Sequence, residues 1–218
     1  MERFASEGYA MSVIVAFGDS NTWGYDPASA TRFPPDVRWT GVMRRELGDG
    51  HSVIEEGLNG RTTVFDDPIE PDRRGADYLP PCLRSHAPLD VLVIALGCND
   101  MKARFAVPPA DIAAGAERLI LMARAEPAGP NGLPPKVILV APPPVAKLSA
   151  FAEMFGGATE KSRNLAARYR EVAERQGVGF VDAGQFIACS DLDGIHFEAD
   201  QHTVLGHAMA EAVRIMVG

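Results

Sequence analysis

Five short apolar runs alternate along this chain with stripes of apolar residues at helical spacing. That alternation constrains the fold most, because neighbouring parallel strands need long crossovers and a helix is the usual crossover. The runs are Val13–Phe17, Ser52–Glu56, Leu89–Leu96, Lys136–Ala141 and Val178–Val181. The first and third are apolar at every or nearly every position, as a strand buried on both faces requires. The stripes are Trp39, Val42, Met43 and Leu47; Ile112, Ala116, Leu119, Ile120 and Ala123; Leu165, Ala166, Tyr169, Val172 and Ala173; and Val204, Leu205, Ala208, Ala212, Ile215 and Met216. Gly48 and Gly177 close the first and third of these helices, and Pro108 or Pro109 opens the second. The expected fold is a single three-layer α/β/α domain with a flavodoxin-like, five-stranded parallel sheet in the order 2-1-3-4-5. Residues 24–37, 64–88, 142–157 and 184–199 read as loops. The second is too long for a simple connection, which predicts a packed functional loop.

The 218 residues suit one large domain. A formal net charge of -8 argues against binding a phosphate backbone, which needs a basic face. Three cysteines, Cys82, Cys98 and Cys189, are an odd number without metal-type spacing and favour free thiols in a reducing compartment. Residues 1–10 are polar and mixed in charge, unlike a signal peptide, and are expected to be a disordered extension before a domain spanning 11–218. The longest apolar run, Leu89–Leu96, is too short to span a bilayer. The expectation is a cytoplasmic protein with no nucleic-acid or membrane partner.

In the order 2-1-3, three strand tails meet: Gly18-Asp19-Ser20, Asn59-Gly60-Arg61-Thr62 and Gly97-Cys98-Asn99-Asp100. They lie at the carboxyl edge of the sheet, where open α/β folds place ligands. Ser20 is a candidate nucleophile. It needs a base within hydrogen-bond reach and a carboxylate to fix that base's tautomer. The stretch Asp191-Leu192-Asp193-Gly194-Ile195-His196 offers both, because an Asp three residues before a His can turn back onto Nδ1 and leave Nε2 for the serine. The Ser20 N–H, the Gly60 N–H and the Asn99 side-chain amide are candidate donors to an oxyanion. Each has an ordinary alternative: a turn serine, a strand-ending glycine, an Asx-turn and a surface histidine. Their weight is joint.

Other chemistries fit less well. His202 and His207 are five residues apart on a helix, hence on different faces, and no metal or other cofactor is expected. No G-x-S-x-G elbow and no G-x-G-x-x-G loop occur after the first strand.

Gly18-Asp19-Ser20, Gly60, Gly97-x-Asn99-Asp100 and Asp193-x-x-His196 occur in the order of the four blocks of the SGNH (GDSL-type) hydrolases, which the chain resembles over residues 11–217. It is similar in particular to the arylesterase/acyltransferase (perhydrolase) branch, through Phe17-Gly18-Asp19-Ser20-x-Thr22-Trp23-Gly24, Arg38-Trp39-Thr40-Gly41, Ile54-Glu55-Glu56-Gly57-Leu58, Arg61-Thr62-Thr63 and Asp193-Gly194-Ile195-His196. Shorter matches are Asp66-Asp67-Pro68, Tyr78-Leu79-Pro80 and Pro88-Leu89-Asp90. The resemblance implies Ser20 as nucleophile, His196 as general base, Asp193 as its orienter, and an oxyanion hole of Ser20 N–H, Gly60 N–H and Asn99 Nδ2. It implies a serine esterase for small acyl or aryl esters, with acyl transfer to alcohols or peroxide, assembled as a homo-oligomer. Asn21, Asn59 and Cys98 replace the leucine, serine and threonine usual in the family.

The substrate site is expected to draw on Trp23, Asn59, Cys98, Ile195 and Phe155. Phe65, Leu79, Leu148, Phe151 and Met154 are expected to add an apolar entrance. Two competing readings are a carbohydrate O-deacetylase on the same triad and a non-catalytic binding protein of the same fold.

Overall fold

The computed structural model describes residues 11–218, so the expected extension at 1–10 lies outside the described residues. The sheet grows from its two most apolar strands, β1 (Ser12–Gly18) and β3 (Val91–Ala95), which pair in parallel at its centre. β2 (His51–Gly57) flanks β1, and β4 (Lys136–Ala141) and β5 (Gly179–Asp182) continue beyond β3. The order is β2-β1-β3-β4-β5 with every pair parallel, as the alternation of runs and stripes predicts.

The period-two pleat divides each central run between two cores. Val15, Phe17, Leu92 and Ile94 face one core, and Ile14, Ala16, Val91 and Val93 the other; all eight are fully buried. α4 (Pro109–Ala125) and α5 (Ala158–Gln176) close the first core with Leu119, Ile120, Leu165 and Tyr169. α2 (Trp39–Leu47) and α6 (Ala199–Val217) close the second with Trp39, Met43, Leu205 and Met209. The one-turn α1 (Ser20–Trp23) follows β1 directly.

Residues 64–88 are not loop throughout, because Gly75–His86 form a helix, α3, with Pro80 and Pro81 inside it. An interior proline costs about 3 kcal/mol of helix stability, and a pair argues against a helix. Ala76, Leu79, Cys82 and Leu83 nevertheless recur at helical spacing and are buried in the first core. Full burial of a leucine contributes roughly 1.5–3 kcal/mol, so packing of this stripe offsets the prolines. Leu79 is therefore a core residue and not part of an entrance.

α2 and α6 are joined unusually closely. The buried His202 Nδ1 accepts the Trp39 N–H at 3.2 Å, satisfying a free amide at the start of α2. Burial first, and then the charges of His196 and Arg38, push the His202 pKa down to about 4, so the ring stays neutral. One turn on, Gly206 has no room for a side chain: a Cβ there would lie 2.5 Å from Val42 Cβ and 2.8 Å from the Trp39 carbonyl oxygen. Gly206→Ala is expected to lose about 1–3 kcal/mol in urea denaturation by forcing the helices apart. A loss below about 0.5 kcal/mol would contradict this packing.

Candidate active site

The turn that carries Ser20 is set by Asp19. Its carboxylate accepts the Asn21 N–H at 3.0 Å and caps α1, whose first residue is Ser20. Asn21 also reaches across the site, donating from Nδ2 to the Ile195 carbonyl at 3.3 Å. It thereby ties the serine turn to the loop that carries the base, a contact the sequence alone did not suggest.

That loop is folded tightly upon itself. Gly194 adopts φ +86°, and a Cβ there would sit 2.9 Å from the Leu148 backbone. The turn brings Asp193 beneath His196. Asp193 Oδ2 lies 2.7 Å from His196 Nδ1, while Oδ1 accepts the N–H groups of Ile195 and His196 at 2.8 and 2.9 Å. Burial opposes ionisation of this carboxyl, but the hydrogen bonds from the His196 ring and the two backbone amides outweigh it and hold its pKa below the usual value. With Nδ1–H committed to Asp193, Nε2 accepts from Ser20 Oγ at 2.9 Å. All three side chains are buried. The Tyr25 ring lies 4.1 Å from the imidazole, centroid to centroid, and Phe151 meets it edge-on at 5.9 Å.

The three strand tails are laced together from beneath. Arg61, itself buried, donates from Nη1 to the Gly18 carbonyl at 2.9 Å and to the Glu56 carbonyl. Asp100 accepts from the Thr63 N–H at 2.9 Å and from its hydroxyl at 2.5 Å. Asn99 Nδ2 donates to the Arg61 carbonyl at 3.1 Å, which fixes the amide plane and leaves its second proton available. Gly60 has φ +80°, a conformation that favours glycine. The Ser20 and Gly60 amides donate to no acceptor among the described residues.

Ser20, Gly60, Asn99 and His196 line one cleft. Of the expected substrate contacts, Asn59, Phe155 and Ile195 line it too. Trp23 and Cys98 are not among its lining residues. The Trp23 ring is covered by the Arg32 guanidinium at 5.0 Å, and Cys98 packs into the first core. Phe151 and Met154 contribute to the wall as expected of an entrance. Tyr25, Glu70 and Lys102 also line the cleft and carried no signal in the sequence. Among the described residues, the side chains grouped closely enough to hold a metal ion are Glu56, Cys82 and His86, none of them in this cleft.

Comparison with known proteins assigns the chain to a family. The sequence pattern of the GDSL-like lipase/acylhydrolase family matches residues 16–204. The chain belongs to the GDSL-like lipase/acylhydrolase family, and with it to the carboxylic ester hydrolases. Among solved structures, the native aryl esterase of M. smegmatis is 45% identical, with a TM-score of 0.90 over 94% of this chain and 99% of that one. Est24, a carbohydrate acetylesterase from Sinorhizobium meliloti, is 42% identical, with the same TM-score and the same coverage of both chains. A carbohydrate acetylesterase family member from the same organism is 39% identical, with a TM-score of 0.91 over 95% of this chain and 100% of that one. No curated protein sequence matches. Among the described residues, no helix is long and apolar enough to cross a membrane.

Two carboxyls behind the site have the opposite electrostatics to Asp193. Burial pushes both Asp19 and Asp100 up to about 6, only partly offset at Asp19 by the Asn21 amide, His196 and Arg61, and at Asp100 by the Thr63 hydroxyl and amide. Each therefore binds its proton more tightly in the folded than in the unfolded chain and contributes stability that is lost as pH rises from about 4 to 6. Asp100→Asn keeps an acceptor for Thr63 and removes one of these two titrations. Its urea-derived stability relative to the parent is expected to rise between pH 4 and 6. A difference that stays flat or falls over that range would contradict the raised value at Asp100.

Proposed function

We propose that this chain is a serine esterase that cleaves small acyl esters through an acyl-enzyme. The observation that carries the reading is the unbroken buried relay from Asp193 to His196 to Ser20, with spacings of 2.7 and 2.9 Å. Ser20 Oγ attacks the ester carbonyl while His196 Nε2 takes the hydroxyl proton. The imidazolium that forms is stabilised by the Asp193 carboxylate. Negative charge developing on the carbonyl oxygen meets the Ser20 and Gly60 amides and the second proton of the Asn99 amide. His196 then protonates the departing alcohol. Water, activated by the same ring, releases the acid and restores the serine.

The cleft supports small substrates because Tyr25, Phe151, Met154, Phe155 and Ile195 close around the serine. The same aromatic cover suits acyl transfer, since an alcohol that packs there competes with water for the acyl-enzyme. Ile69 and Leu192, 71% and 52% exposed, are the chain neighbours of Glu70 and Asp193, which suits association of copies near the cleft. Carbohydrate deacetylation is the second reading, favoured by Glu70, Lys102 and Asn59 in the cleft wall.

p-Nitrophenyl acetate with and without added alcohol tests the reaction. The protein is expected to release p-nitrophenol and, with alcohol, to form the transesterified product. Ser20→Ala or His196→Ala should lower kcat by about 10³-fold or more, and Asn99→Ala by about 10²–10³-fold. Near-parental turnover in Ser20→Ala would overturn the assignment.

A further inference from the structure

Hydrolysis as described leaves part of the cleft wall unused, and that part is charged. Lys102, only 2% exposed, lines the cleft and places its ammonium 2.5 Å from Glu70 Oε2 and 3.4 Å from Asp67 Oδ2. Asp67 also holds Arg104 at 3.0 Å and accepts the N–H groups of Ile69 and Glu70 at 2.9 and 3.2 Å. Burial opposes ionisation of Asp67, but the two amides and the two cations outweigh it and keep its pKa low. Two positive and two negative side chains thus balance within one cluster. Burying the Lys102 and Asp67 charges is unfavourable before pairing, and apolar side chains of similar volume would fill the wall without it.

Glu70 is the more exposed of the two members of the cluster that line the cleft. Its side chain is 35% exposed and lines the cleft, and its Oε2 would lie 3.0 Å from a Cβ at position 60. A lone carboxylate so near the Gly60 amide would oppose negative charge on the reacting carbonyl. Lys102 compensates that charge, so Glu70 can accept hydrogen bonds without cancelling the oxyanion donors. Two of the three ammonium protons of Lys102 go to Glu70 and Asp67. Glu70 Oε1 accepts no hydrogen bond among the described residues. Asn59 Oδ1, in the same wall, is buried and has no partner among the described residues. The wall therefore offers two acceptors and a donor side by side, the complement of hydroxyl groups, which both donate and accept.

We propose that Glu70, Lys102 and Asn59 form a polar subsite beside the oxyanion donors that binds a hydroxyl-bearing substituent of the ester. The enzyme then prefers esters of polyhydroxylated alcohols to equally small esters of simple alcohols. A simple alkyl group leaves these polar atoms unpaired when it displaces water, whereas a diol satisfies them. The inference rests on the serine-esterase reading and assigns the residues that set its selectivity.

The test compares glycerol 1-monoacetate with propyl acetate, which differ by two hydroxyls, in the parent, Glu70→Gln and Glu70→Ala. Propyl acetate turnover in each preparation normalises for folded, competent enzyme. The parent is expected to favour the monoacetate in kcat/KM. Glu70→Ala should lower that ratio about tenfold, chiefly through KM for the monoacetate, and Glu70→Gln, which keeps one acceptor, should lower it less. Parental turnover of propyl acetate with no preference for the monoacetate, or ratios within about twofold of the parent in both variants, would overturn the subsite and leave the esterase reading standing. A parent that hydrolyses neither ester would overturn both.

Discussion

The buried guanidinium of Arg61 holds together parts of this molecule that the chain supplies separately. Ser20 follows β1, Gly60 follows β2 and Asn99 follows β3, so the proposed oxyanion donors arrive on three tails with no covalent reason to stay in register. Arg61 bonds the Gly18 and Glu56 carbonyls, ending β1 and β2 on one cation, and its own carbonyl receives the Asn99 amide. Burial pushes its pKa down, with Glu56 the largest opposing influence. The guanidinium also lies 4.3 Å over the Phe17 ring and 5.3 Å from that of Tyr78, which compensates part of its lost hydration. Asp100 adds the second lacing, from the β3 tail to Thr63. Preorganisation of this kind lets backbone amides act on a developing charge without moving at the moment of reaction.

The same side-chain chemistry serves opposite purposes on the two sides of the serine. Asp193 receives three N–H donors and remains an anion, which fixes the His196 tautomer. Asp19 accepts the Asn21 amide, but its burial outweighs that bond and the nearby His196 and Arg61, and its pKa rises to about 6. Only Asp193 combines contact with the imidazole and a stabilised charge. Asp19 instead fixes the turn on which Ser20 stands.

Much of the architecture was legible because it depends on local periodicity. The runs in β1 and β3 and the stripes of α2, α4, α5 and α6 each mark a face that must be buried, and the alternation of elements leaves few ways to bury them. α3 was hidden because Pro80 and Pro81 speak against a helix locally while Ala76, Leu79, Cys82 and Leu83 pay for it through tertiary packing. The triad and oxyanion candidates were legible because short spacings encode them: Asp193 and His196 are one turn apart, and Ser20, Gly60 and Asn99 each end a strand. Tyr25, Glu70 and Lys102 enter the same cleft from irregular segments, where no spacing predicts which side chain turns inward. Trp23 and Cys98 show the converse. Both neighbour the motifs in sequence, yet one is covered by Arg32 and the other faces the core.

In the proposed reaction Ser20 is the one hydroxyl that this architecture makes nucleophilic. Reaction of the intact protein with a fluorophosphonate, followed by peptide mapping, isolates that property. One adduct per chain, on Ser20, is expected. No adduct on the folded protein, or one that maps to another residue while Ser20 stays free, would contradict it.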